Sequence, residues 1–166
     1  MKQSKILINF ICAVLIFSFV TYNYFLMGLY MKYAVGDIFF NTLLASLSEL
    51  LAYLSVFIIF KFVRLKLILV VFSSMSIIFG VLLMLDLPIW IATVCLFLTK
   101  FSSQVIFPCS HYLNNANLFN PLLIPFLYGV GNLVAKSLTI LAPQIVELQE
   151  PIPIISFLLT SFGIFV

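Results

Sequence analysis

Apolar residues fall into six long blocks separated by short polar or proline-bearing stretches. The blocks run over about 6–31, 38–60, 67–85, 89–112, 121–145 and 151–166. All but the last approach or exceed the roughly 20 residues a helix needs to cross a hydrocarbon core. The first is longer than the roughly 7–15 residue apolar region of a cleavable signal peptide. Lys2 and Lys5 are therefore read as the flank of a retained span. The pattern predicts an all-α integral membrane protein with six transmembrane helices in one unit, 1–166, since no charge run or Gly/Ser linker divides the chain.

With six crossings, alternate connections share a side. One side collects Lys2, Lys5, Lys61, Arg64 and Lys66, together with a neutral run of Asn114, Asn115 and Asn117. The other collects Lys32, Asp37, Asp86, Glu147 and Glu150. Five basic residues against one place the N-terminus in the cytoplasm by the positive-inside rule.

Composition removes the soluble alternatives. The chain is 64% hydrophobic and only 8% charged, with mean hydropathy +1.29. Ordinary soluble domains carry about 25% charged residues. A net charge of +3 is loop asymmetry, and no nucleic-acid partner is expected. Cys12, Cys95 and Cys109 have neither disulfide nor metal spacing and read as small buried hydrophobes. No nucleophile constellation or Gly-rich phosphate loop is visible, so neither an enzyme nor a cofactor is expected. The expected partners are membrane lipid and a small organic solute.

Candidate chemistry lies in the polar residues inside the blocks, because an ionisable group within a span marks a site or an ion pair. In the second block Asn41, Ala45, Ser48, Ala52 and Ser55 share a helix face, with Glu49 at its edge. Such a face suits close packing or a cavity wall. In the fourth, Thr93, Phe97, Lys100, Gln104, Phe107 and His111 share a face, which suggests a cavity lining. In the fifth, Pro125, Gly129, Asn132, Lys136, Thr139 and Pro143 form a stripe in which two prolines are expected to interrupt or end the helix. Lys100 and Lys136 either face a solute or pair with Glu49. In the first block Tyr30 is an interfacial aromatic, whereas Tyr22 lies deep enough to line a cavity. The candidate solute-binding set is Lys136, Glu49, Lys100, Asn132, Gln104, Asn41 and Tyr22.

Several of these residues also carry a family pattern. Gly36, Asp37, Ile38, Asn41, Glu49, Ala52 and Tyr53 follow a Tyr-rich helix. Further on come Lys100 with Phe101, Leu118 with Phe119, Tyr128 with Gly129, and Leu141, Ala142 and Pro143. This arrangement resembles the seventh to twelfth helices of the organic cation/anion/carnitine transporters, a branch of the major facilitator superfamily. The chain departs from the family in three places. Val63, Arg64, Leu65 and Lys66 keep charge without the family's glycine, Asn117 and Asn120 replace a Glu and a Pro, and Ile124 replaces an Arg. The resemblance implies the C-terminal half of a twelve-helix transporter. It also implies that Lys136 occupies the position that sets substrate charge, a base there going with anions or zwitterions. The function so implied is transport of small organic anions or zwitterions, with the second bundle supplied by another six-helix half or another copy. The alternative is a non-transporting membrane helix bundle, either a transporter relic or a partner-binding subunit.

Overall fold

The computed structural model describes residues 2–34, 36–85, 87–115, 124–148 and 151–165, but not the side chains of 2–7, 111–115 and 127. Asp86, Asn117, Leu118, Phe119, Asn120, Pro121 and Glu150 therefore lie outside the described residues, as do the side chains of Lys2, Lys5, His111, Asn114 and Asn115.

Seven helices and no strand occupy the described residues. They are α1 (Lys2–Tyr30), α2 (Ile38–Phe62), α3 (Leu65–Leu82), α4 (Ile89–Asn115), α5 (Ile124–Thr139), α6 (Leu141–Val146) and α7 (Ile152–Phe165). Five stretches are long and apolar enough to cross a membrane: Ile8–Tyr30, Ile38–Phe62, Leu65–Leu82, Ile89–Ser110 and Ile124–Val146. The last runs through both α5 and α6. The 14 residues of α7 fall short of a span, as the sixth block does.

The helix ends follow from local chemistry. Gly36 sits at φ 117°, a left-handed conformation that glycine adopts without a Cβ clash. The Asp37 carboxylate then caps α2 by accepting from the Phe39 amide at 3.1 Å. The buried Asn41 side chain donates to the Ala34 carbonyl at 3.3 Å, tying α2 back to the end of α1. Pro125 stands one residue into the described part of α5, and residues 121–123 before it lie outside the described residues. The break between α5 and α6 comes from Pro143. Its ring and absent N–H act on the carbonyl four residues earlier, Thr139, which is where α5 stops. Pro108 sits inside α4 and by the same rule removes the helical donor to the Gln104 carbonyl.

The packing order has an internal exchange pattern. α1 packs on α4, on the α5–α6 pair and on α7, while α4 packs on α1, α2 and α3. α3 also packs on α7. Exchanging α1 with α4, α2 with α5–α6, and α3 with α7 maps the larger of these contacts onto one another, while the small α4–α5 and α6–α7 contacts have no counterpart. Each repeat contributes three helical runs, so in a membrane the second repeat would enter from the side opposite the first. The two central helices are α1 and α4; α2 and α5 form the edges.

Apolar burial and small residues hold the bundle. Tyr22, Leu26, Met27 and Tyr30 of α1 pack with Leu96, Ala142, Val146, Ile154 and Phe157. Ala52 and Val56 of α2 pack with Ile68, Val105 and Cys109. Gly163 lets α7 approach Phe19, and a Cβ there would stand 2.8 Å from the ring. Serine and threonine hydroxyls in these helices mostly donate to carbonyls three or four residues earlier, such as Thr99 to Cys95 and Ser48 to Ala45. That satisfies them without a neighbour. A polar seam joins α7 to α1: Asn23 Nδ2 donates to Ser161 Oγ at 3.0 Å, and Thr160 Oγ1 donates to Asn23 Oδ1 at 2.5 Å.

Candidate functional site

α1 and α2 do not pack closely side by side; both lean on α4. A cleft of about 260 Å³ opens between them. Its walls include Tyr24, Phe25 and Gly28 from α1, Ser46 and Glu49 from α2, and Lys100 from α4. Glu49 and Lys100 are thus brought together, and each lies within a residue of the midpoint of its apolar stretch.

Tyr24 links them. Its hydroxyl donates to Glu49 Oε1 at 2.8 Å. Its ring lies beneath the Lys100 ammonium, with Nζ 5.0 Å from the centroid, a cation–π contact. The same Nζ donates to the Tyr24 main-chain carbonyl at 3.4 Å. Gly28, one turn on, lies beside the ammonium; a Cβ there would stand 3.5 Å from Nζ, in ordinary contact. The Tyr24 ring also stacks on Phe107, with centroids 4.7 Å apart. Neighbouring Phe25 meets Tyr24 edge-on at 5.3 Å and carries the Lys136 ammonium 4.7 Å above its own centroid. A continuous chain therefore runs Glu49, Tyr24, Phe25, Lys136, with Lys100 over its middle.

Burial separates the two lysines. Lys100 is only 4% exposed, whereas Lys136 is exposed near the midpoint of the α5–α6 stretch. Glu49 is half-buried. Among the described residues none of the three forms an ion pair within 4.0 Å. The cleft itself holds one carboxylate, bound by a phenol, and one ammonium, held by a ring face and a carbonyl; Lys136 lies beside the cleft over Phe25 and does not line it.

Other members of the predicted set sit elsewhere. Tyr22 points away from the cleft into the core, its hydroxyl sharing a 2.5 Å hydrogen bond with Ser156 of α7. Asn41 anchors the α1–α2 connection. The α2 face of Asn41, Ser48 and Ala52 is buried and serves packing. Asn132 is half-buried on α5, one turn before Lys136. Gln104 is fully buried, and neither amide atom has a hydrogen-bond partner among the described residues. It lies one turn beyond Lys100 on the side that meets the bundle, not the cleft. Tyr24 and Phe25 are cleft side chains that the helical stripes do not single out. Gly28 is the signal that could have found them, because a glycine in an apolar helix marks close approach.

Comparison of the chain with protein families, with curated proteins and with solved structures finds no match.

Proposed function

We propose that this chain is a six-helix half of a membrane solute transporter and carries small organic anions or zwitterions. The observation that carries the proposal is the placing of Glu49, Lys100 and Lys136 at the midpoints of three apolar helices, on or beside one open face and without ion pairs between them. A charge at mid-membrane facing lipid costs about 2.5–3.5 kcal/mol on insertion scales. Three such residues on one face of a bundle call for water, a solute or a second bundle there. The exchange pattern of the helices supports the same reading. Inverted three-helix repeats around a midplane site are the build of many secondary transporters, in which one bundle rocks against another. The break between α5 and α6, one turn from Lys136, adds the discontinuous helix such sites use. These features agree with the resemblance to the organic-ion branch of the major facilitator superfamily and with a cytoplasmic N-terminus.

Lys100 and Lys136 outweigh Glu49, so selectivity favours negative charge. The test is uptake of labelled organic anions and cations into vesicles holding the protein, with Lys136→Asp alongside. Anion uptake above empty vesicles, shifting toward cations in the variant, is the expected result. Uptake equal to empty vesicles for every solute refutes transport. It would favour a non-transporting helix bundle, a reading that draws on the sealing of Gln104 and Asn41 inside the fold.

A further inference from the structure

The open face has an acid on one edge and a base on the other. Glu49 lies on edge helix α2 and Lys136 on edge helix α5, separated by α1 and its exposed Phe25, Gly28 and Leu29. Each charge lies near the middle of its apolar stretch, which puts the two at a similar depth when both stretches span. Rotation about an axis normal to the membrane preserves depth. A two-fold axis through this face therefore brings the α2 edge of one copy against the α5 edge of the other, with Glu49 of each opposite Lys136 of its partner. Such a contact is self-complementary and closes after two copies.

We infer that the second bundle is another copy of this chain, docked face to face through reciprocal Glu49–Lys136 pairs. The inference rests on the membrane-spanning reading and names the partner that the transport proposal leaves open. The edges suit close approach. On α2, Thr42 and Ser46 are exposed, yet their hydroxyls are spent on the Ile38 and Thr42 carbonyls, leaving a small smooth surface. On α5, Gly129, Leu133, Lys136 and Ile140 form one stripe, and no atom of the described residues lies within 4 Å of where a Gly129 Cβ would be. Small residues of this kind allow helix backbones to meet in lipid. Docking would also roof the cleft over Tyr24 and Lys100, setting the clefts of the two copies against each other at mid-membrane.

As the second and fifth crossings, α2 and α5 run in opposite directions, so Ser46 before Glu49 comes level with Ile140 after Lys136. The experiment uses full-length chains in native membrane vesicles with exposed Cys12 changed to Ser. Copies carrying Ser46→Cys and differently tagged copies carrying Ile140→Cys are co-expressed and treated with a short bismaleimide. A cross-linked pair of the two tags is expected, and far less with Ile78→Cys on α3 in place of Ile140→Cys. Glu49→Lys alone gives a face with two bases, and Lys136→Glu alone a face with two acids. Each should lower its own cross-linked yield about tenfold. Mixing the two single-reversal chains should restore it, as should putting both reversals in one chain. Absence of the wild-type cross-link overturns the inference, as does a yield indifferent to the reversals or the failure of both restorations. Uptake in the same vesicles separates the two proposals. Cross-linking without uptake leaves the dimer standing and refutes transport, whereas uptake by an uncross-linkable monomer does the reverse.

Discussion

Replacing Lys100 with Met should make the protein more stable while abolishing uptake. The balance can be worked from the contacts. An ammonium buried at mid-membrane costs about 2.5–3.5 kcal/mol. Against that stand one ring face at 5.0 Å and one long hydrogen bond at 3.4 Å. The first contributes about 0.5–2 kcal/mol, the second about 0.5 kcal/mol at the low end for a neutral acceptor. The difference leaves Lys100 destabilising by about 1 kcal/mol, and Met fills the same unbranched volume without the charge. Thermal unfolding in detergent, followed by a tryptophan or circular-dichroism signal, should give a Tm raised by roughly 2–4 °C for a chain of this size. The same variant in vesicles should lose anion uptake, because the buried cation is what the solute's negative end would meet. A variant that melts earlier than wild type by a comparable amount refutes the reasoning. It would mean that Lys100 holds a counter-charge in the native assembly and is not left for a solute.

Two further substitutions test the packing around the site. Gln104→Leu removes two buried amide atoms that have no partner and should raise stability by about 1–2 kcal/mol, read as an upward shift in the unfolding midpoint; a downward shift would show that the amide is paired. Gly163→Ala puts a Cβ 2.8 Å from the Phe19 ring and should cost about 1–3 kcal/mol, with Phe19→Leu recovering most of the loss in the double variant; an unchanged melting temperature for the single variant would refute close α1–α7 contact.

The helices were legible in the sequence and their neighbours were not. Long apolar blocks between Gly, Asp and Pro punctuation set the five spanning stretches within a few residues of where they lie, because length and hydropathy alone decide which segments can cross. Helical spacing also grouped Lys100 with Phe107 on one side of α4. It could not say which helix that side meets. The answer is α1, whose Tyr24 ring meets both, and of the α4 stripe Lys100 reaches the cleft. Tyr22 and Tyr24 show the same limit. They are two residues apart and so point to different sides of α1, and only the placement of α7 and α2 around α1 decides which one reaches the charges. Pro143 breaks the fifth span for a local reason: it lies four residues after the Thr139 carbonyl, which it strips of its helical donor.

The exchange between α1–α3 and α4–α7 gives these charges a common explanation. A scaffold that repeats itself in inverted order offers each mid-membrane position a counterpart at the same depth. The edge position on α2 holds an acid, and its counterpart on α5 holds a base. Had both been basic, a second copy would have met the first with like charges at the least screened depth of the bilayer, and a face-to-face pair would be repelled. Opposite signs reverse that term without any change of fold. They also fix the partner's orientation, since an inverted copy would set Glu49 against Glu49. The central pair obeys a different requirement. Tyr24 and Lys100, on α1 and α4, lie under the cleft rather than at its edge, so their charge is not consumed by docking. On the proposed reading, the edge charges would neutralise each other to assemble the cavity, and the central cation would be left for the solute.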